Sequence, residues 1–207
     1  MLLMGRDLSP FVRRTAIVLD TLNIDFERRT LAAIEDGDKL APFTPLGRVP
    51  VLVLDDGETL IDSAAIIDYA LEAGDPTHSL MPASGFDRRR VLYFCALATG
   101  AMEKGVASSY ERFRRPTEHI HQPWLDRLLI QMKRSLATLE LAAESNEWLY
   151  GNTMSLADIN AVVLYDFVQL IDPSLATNAA PSALPALAGR LNTLPAFRDN
   201  RFDPTKA

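Results

Sequence analysis

Cysteine and histidine are scarce in this sequence. Cys95 is the only cysteine among 207 residues, so no disulfide can form within the chain. Cys95 and the three histidines show no spacing typical of a metal site. We therefore expect neither a disulfide framework nor a bound metal. Cys95 lies on an apolar helical face, and we expect a buried, unreactive thiol there.

Positive charge and long apolar runs are also lacking. Lys and Arg number 21 against 27 Asp and Glu, which gives a formal net charge of -6. Nucleic-acid binding through phosphate contacts needs a basic face, so we expect no nucleic-acid partner. The N-terminus has no long apolar segment, and no apolar run has the length of a membrane span. We expect a cytoplasmic protein without a membrane partner.

Two kinds of segment follow each other along the chain. Residues 1–75 alternate between strand and helix patterns in the order β-α-β, a polar connector, then β-β-α. Glycine and proline mark a linker at 76–86, and residues 87–207 show helical spacing only. Strands with helices first, and helices alone afterwards, predict an α/β domain followed by an all-α helical domain.

The predicted elements of the first domain have defined ends. Ser9-Pro10 opens a helix, because serine is a good N-cap and proline a good first helical residue. Asp55-Asp56-Gly57 predicts a hairpin turn. The other predicted elements are strands at Leu2–Met4, 26–31, 49–54 and Thr59–Ile61, and a helix from Ser63 to about Ala73.

Ser9 is the first candidate for chemistry. As an N-cap its oxygen accepts a backbone N–H, and its own proton stays available at the positive end of a helix. A hydrogen bond to a charged group contributes about 1.5–3 kcal/mol, and one pKa unit corresponds to about 1.36 kcal/mol. Ser9 can therefore lower the pKa of a bound thiol by about one to two from its usual value of about 8.5. Plain helix capping explains the same residue, and this alternative stays open.

Val49-Pro50 is the second candidate. Proline at the start of a strand leaves the preceding backbone groups outside the sheet, where those of Val49 can pair with an extended peptide-like ligand. A cis Val49-Pro50 bond would fix that exposure, although cis is the minority form. An ordinary edge-strand proline is the alternative.

Asp62-Ser63 is the third candidate. Ser63 begins a helix whose first N–H groups can bind a carboxylate, and Asp62 can pair with an ammonium group. Together they suit a free amino-acid head group, which carries both charges. Helix capping alone is again the alternative.

In this order and spacing, the three constellations resemble the cytosolic glutathione S-transferase superfamily. The segment Leu46–Leu52 is similar to its strand-opening segment with a cis-proline, and Asp62-Ser63 to its γ-glutamyl-binding turn, which usually has Glu-Ser. Ser155-Leu156-Ala157-Asp158 resembles the capping box of the buried helix in its second domain. The resemblance covers essentially the whole chain. It implies a thioredoxin-like N-terminal domain and an all-α C-terminal helical bundle.

The resemblance also implies a role for each matched residue. Val49 would hold the cysteinyl part of glutathione through its backbone, and Pro50 would shape that site. Ser63 would bind the γ-glutamyl carboxylate and Asp62 its ammonium group. Ser9 lies at the position of the thiol-activating serine of bacterial-type members. No tyrosine occurs in this segment, so catalysis by tyrosine is not expected here.

A transferase of this kind uses glutathione as co-substrate and needs no metal. The resemblance implies a homodimer and a second, small hydrophobic electrophile. The expected electrophile pocket is lined by Phe11, Tyr110, Arg112 and Phe113, which combine aromatic surface with charge. Helix-end packing and solvated charge are the alternative for these residues.

Two other functions stay open at this point. A glutathione-dependent disulfide or peroxide reductase, or an isomerase, would use the same bound thiolate. Serine rather than cysteine at position 9 weakens the redox version, which proceeds through a mixed disulfide. A binding or scaffold protein would keep the fold without the chemistry. Asp62 is also one methylene shorter than the usual glutamate, so its carboxylate extends less far toward the ammonium group.

Overall fold

A computed structural model of the protein describes residues 1–175 and 183–203. It divides the chain into two compact units. The first comprises Met1–Leu80 and the segment that begins at Asn192, and the second comprises Met81–Leu191. The change from one unit to the other at Leu80 falls within the predicted linker. Residues 176–182 and 204–207 of the predicted second domain lie outside the described residues.

A four-stranded mixed sheet forms the centre of the first unit. Its strands are β1 (Leu2–Met4), β2 (Glu27–Arg29), β3 (Val51–Val53) and β4 (Thr59–Ile61), in the spatial order β2-β1-β3-β4. β1 pairs parallel with β2 and antiparallel with β3, and β3 pairs antiparallel with β4. The predicted βαβ-ββα order of a thioredoxin-like domain is confirmed, with strands shorter than their apolar runs.

Helices make up most of the remaining described residues. They are α1 (Pro10–Thr21), α2 (Gly37–Leu40), α3 (Ser63–Gly74), α4 (Gly85–Phe113), α5 (Gln122–Ser145), α6 (Leu156–Ile171), α7 (Ala183–Leu191) and α8 (Pro195–Asp199), with short 3-10 turns at Thr117–His119 and Pro173–Leu175. α2 lies in the segment that the sequence indicates only as a polar connector. Leu40 is its one buried residue, and it joins the core of the unit beside Met4 and Val51.

The C-terminal segment packs on the first unit. Arg13 on α1 donates to Asn192 Oδ1 at 3.0 Å, and Arg28 on β2 donates to Asn200 Oδ1 at 2.7 Å. Phe197 on α8 is fully buried. The sequence-based division assigns residues 87–207 to the second domain, whereas this segment clusters with the first unit. The short α8 carries too little helical pattern to indicate where it packs.

The second unit is all helical in its described residues, as predicted. α4 packs along α5 and α6, and α7 contacts α5 and α6. α6 is buried almost all round, from Leu156 to Leu164 and again at Phe167 and Val168. The expected capping box at its start is confirmed. Within the described parts of the chain, no helix combines the length and apolar character needed to cross a membrane.

Asp158 is the buried polar centre of that capping box. Oδ1 accepts the backbone N–H of Leu149 at 2.8 Å, and Oδ2 accepts the backbone N–H of Ser155 at 2.8 Å and its hydroxyl at 2.9 Å. Burial raises the pKa of Asp158, although these hydrogen bonds act in the opposite direction. The carboxyl group thus fixes both the start of α6 and the turn before it.

Replacing Asp158 by alanine is expected to lower the free energy of unfolding by about 3 kcal/mol or more. The substitution leaves two buried N–H donors without an acceptor, at about 1–3 kcal/mol each, and removes a helix cap. Glu103→Ala, which removes an acid with a 65% exposed side chain in the same unit, is the control and should change stability by no more than about 0.5 kcal/mol. Urea unfolding followed by circular dichroism measures both. Equal stability of Asp158→Ala and the wild type would contradict the role assigned to the capping box.

Candidate functional site

Ser9 occupies the start of α1, as its sequence context predicts. Its Oγ accepts the N–H of Val12 at 3.4 Å, and its carbonyl accepts the N–H of Arg13 at 3.0 Å. The residue is half-buried. Accepting a hydrogen bond uses one lone pair of the hydroxyl and leaves its proton to donate. A hydroxyl donor therefore lies at the positive end of a 12-residue helix.

Gly5, directly after β1, allows Val12 and Val49 to approach its backbone closely. Its φ of 137° lies in a region that side-chain-bearing residues rarely adopt. A Cβ atom at this position would lie 2.4 Å from Val12 Cγ2 and 3.0 Å from Val49 Cβ. The first turn of α1 and the segment before β3 therefore both approach residue 5 this closely only because it has no side chain.

The Val49-Pro50 peptide bond is cis. β3 begins at Val51, which is paired with Met4, so Val49 lies before the sheet ladder. Val49 makes no backbone–backbone hydrogen bond to another described residue, and it is half-buried, whereas Pro50 is buried. The N–H and C=O of Val49 are thus available for an extended ligand.

Asp62 and Ser63 lie at the start of α3. Asp62 has a φ of 73°, is exposed, and accepts the N–H of Ala64 with Oδ1 at 2.8 Å. A carboxylate offers about four lone-pair sites, so this cap leaves acceptor capacity for a cation. Ser63 is buried, and its Oγ accepts a hydrogen bond from Arg14 Nη1 at 3.0 Å.

Arg14 is the site residue that the sequence does not indicate. Pairs of arginines on a helix are typical of solvated surface, yet Arg13 and Arg14 are both buried. One feature points to burial: Arg14 lies three residues after Phe11 and three before Ile17, on the face of the predicted apolar stripe. α1 therefore carries Ser9 at its N-cap, Val12 against Gly5, which Val49 also approaches, and Arg14 against Ser63. The three predicted constellations are thus linked to α1, two of them through Gly5 and Arg14.

The four residues expected in an electrophile pocket belong to different units. Phe11 is a half-buried residue in the first turn of α1. Tyr110 and Phe113 are exposed near the end of α4, at 46% and 73%. Arg112 Nη2 donates to Asp172 Oδ2 at 3.0 Å. Burial raises the pKa of Asp172, but the hydrogen bond from the Ser174 hydroxyl, followed by that from Arg112, lowers it overall. Arg112 therefore has a structural partner inside the second unit, and the pocket stays a prediction.

Cys95 takes no part in the contacts around α1, and no metal site is found among the described residues. Cys95 is buried on α4, at 6% exposure. Across residues 1–175 and 183–203, no three His, Cys, Asp or Glu side chains are grouped so that they could hold a metal ion.

The sheet order, the cis-proline before β3 and the helical second unit define a thioredoxin-like domain joined to an all-α domain. Two family models match the chain: the N-terminal domain of glutathione S-transferase at residues 3–78, and its C-terminal domain at residues 101–195. The uncharacterized GST-like protein YibF of Escherichia coli K12 is 36% identical over 140 residues, which is 68% of each chain. The chain belongs to the glutathione S-transferase superfamily.

Solved structures show the same fold over nearly the whole chain. A glutathione S-transferase from Methylobacterium radiotolerans, in complex with glutathione sulfonate, has a TM-score of 0.89 at 22% identity and covers 98% of this chain and 95% of its own. One from Methylobacillus flagellatus, with glutathione bound, has a TM-score of 0.86 at 26% identity and covers 97% and 98%.

Gly5→Ala is expected to lower the free energy of unfolding by about 2–4 kcal/mol, because the new side chain is strained and overpacked. The clash with Val49 should also displace the segment before β3. Gly37→Ala is the control in the same unit, since a Cβ there meets nothing within 4 Å. Thermal unfolding of the three proteins measures the difference. A melting temperature for Gly5→Ala equal to that of Gly37→Ala would contradict the close approach described here.

Proposed function

We propose that the protein is a glutathione transferase, which binds glutathione in its first unit and transfers the thiolate to small hydrophobic electrophiles. Membership of the superfamily supports this function, as does the glutathione bound to the Methylobacillus flagellatus relative. The observation that carries the proposal is the arrangement around α1. Its N-cap is a hydroxyl donor, its first turn and the segment before β3 both approach Gly5, and its second turn contacts the start of α3.

Each part of glutathione has a proposed partner. The backbone of Val49 pairs with the cysteinyl part, beside Pro50. The backbone N–H and the hydroxyl of Ser63 bind the γ-glutamyl carboxylate at the positive end of α3. The Asp62 carboxylate pairs with the γ-glutamyl ammonium group, using the acceptor sites that Ala64 leaves unused. The head group thus meets both a donor for its negative charge and an acceptor for its positive charge.

Ser9 is the proposed thiol-activating residue. Its hydroxyl donates to the sulfur, and the start of α1 adds a favourable dipole for negative charge. No covalent enzyme intermediate is needed, because the protein lowers the pKa of the thiol and holds the electrophile near it. Phe11, Tyr110, Arg112 and Phe113 are the proposed contacts for the electrophile, and a cytoplasmic homodimer is the proposed working state.

Glutathione binding is the first test. Calorimetric titration of the wild type is expected to give saturable binding. Ser63→Ala should raise the dissociation constant about tenfold or more, because a hydrogen bond to a charged group contributes about 1.5–3 kcal/mol. Ser145→Ala removes the hydroxyl of the last residue of α5, in the second unit. It is the control and should bind as the wild type does.

Failure of the wild type to bind millimolar glutathione would contradict the proposal and favour a scaffold protein. Binding without conjugation of any electrophile tested would direct assays to disulfide, peroxide and isomerisation substrates.

Ser9→Ala is expected to raise the pKa of the bound thiol by about one to two, since one hydrogen bond to a thiolate is lost. The conjugation rate at neutral pH should fall in parallel, while the dissociation constant of glutathione changes little. Ultraviolet absorbance of the thiolate across a pH series measures the pKa. Ser9→Thr keeps a hydroxyl and serves as the matched control. If Ser9→Ala leaves both the thiol pKa and the rate unchanged, Ser9 is a helix cap only.

A further inference from the structure

Arg14 brings a guanidinium group into the interior of the first unit. Only 5% of the residue is exposed, and its Nη1 donates to Ser63 Oγ at 3.0 Å. Ser63 is itself only 3% exposed, so water has little access to this hydrogen bond. The pair joins the second turn of α1 to the first residue of α3, across 49 positions of sequence.

An arginine in this position restricts the direction of the serine proton. A guanidinium group has donors only, whereas a hydroxyl has one proton and two lone pairs. Arg14 therefore occupies a lone pair of Ser63 Oγ and cannot take its proton. The proton has to point to a different acceptor.

We propose that Arg14 is a positioning residue, which holds the Ser63 hydroxyl so that its proton is directed at a carboxylate bound at the start of α3. This inference rests on the proposed function, because the carboxylate is that of the γ-glutamyl part of glutathione. Arg14 acts through Ser63 and does not touch the ligand. A hydroxyl already held in the bound orientation loses less freedom when the ligand arrives, which favours binding.

Arg13 provides a comparison within the same helix. It is as buried as Arg14, at 4% exposure, but its guanidinium donates to Asn192 Oδ1 at 3.0 Å. Arg13 and Arg14 are therefore both buried, but of the two it is Arg14 that donates to Ser63. Arg13→Gln is consequently a matched control for the general effect of removing a buried guanidinium group.

The test compares two ligands on the full chain. Glutathione and γ-aminobutyryl-cysteinylglycine differ only in the carboxylate that Ser63 is proposed to bind. Arg14→Gln is expected to raise the dissociation constant of glutathione about tenfold, because the glutamine side chain can accept the serine proton and turn it away from the ligand. For the ligand without the carboxylate, the expected change is about twofold or less. Arg13→Gln should change neither constant by more than about twofold.

A double-mutant cycle shows whether Arg14 acts through Ser63. In the Ser63→Ala background, the added substitution Arg14→Gln is expected to change the glutathione dissociation constant by no more than about twofold. If the losses in the two single variants simply add, Arg14 does not act through the Ser63 hydroxyl and the inference is overturned.

The outcomes separate this inference from the proposed function. If the wild type binds glutathione but Arg14→Gln loses equal affinity for both ligands, the inference is overturned and the proposed function stands. A wild type that does not bind glutathione overturns both. If Arg14→Gln does not fold by circular dichroism, Arg14→Lys is used. Lysine also has donors only, so the preference for glutathione over the carboxylate-free ligand should persist, and its loss would overturn the inference.

Discussion

The packing around Gly5 determines how closely the first turn of α1 can approach the end of β1. Val12 and Val49 approach this residue from two different segments, and both contacts need the space that a side chain would fill. The first turn of α1 and the segment before β3 thus both lie against Gly5. In its second turn the same helix contacts the start of α3 through Arg14 and Ser63. Three segments that are far apart in sequence thus take their positions from one close approach of backbone and side chains.

Local chemistry accounts for the elements that the sequence predicts well. Ser9-Pro10 determines the start of α1, and Asp55-Asp56-Gly57 the turn between β3 and β4. The box formed by Ser155 and Asp158 likewise has its partners within a few residues. α2 and α8 depend instead on single apolar side chains that pack far along the chain, Leu40 and Phe197. Such contacts leave no periodic pattern in so short a helix, and the sequence alone did not indicate them.

In the candidate site, too, the residues at the ends of elements were predictable and the long-range partner was not. Ser9, Val49, Asp62 and Ser63 each stand at the boundary of an element, where helix caps and strand ends expose backbone groups in a way that residue types indicate. The partner of Ser63 was not predictable, because the place of Arg14 on the apolar stripe indicates burial but not which residue, 49 positions away, its guanidinium contacts. Arg112 is a case in which the sequence suggested a ligand contact and the structure shows an ion pair within the protein. Its aromatic and charged neighbourhood suggested a ligand pocket, but whether such an arginine meets a carboxylate such as that of Asp172 depends on tertiary packing.

The return of the chain to the first unit has a consequence for biosynthesis. Arg13 and Asn192 are 179 positions apart, yet they share a hydrogen bond inside one compact unit. During translation the sheet and its two long helices leave the ribosome well before α8 exists, and the whole second unit is made in between. The first unit therefore reaches its final form only after the segment from Asn192 onward has been made, and a fragment ending at residue 80 lacks the segment that contacts Arg13 on α1.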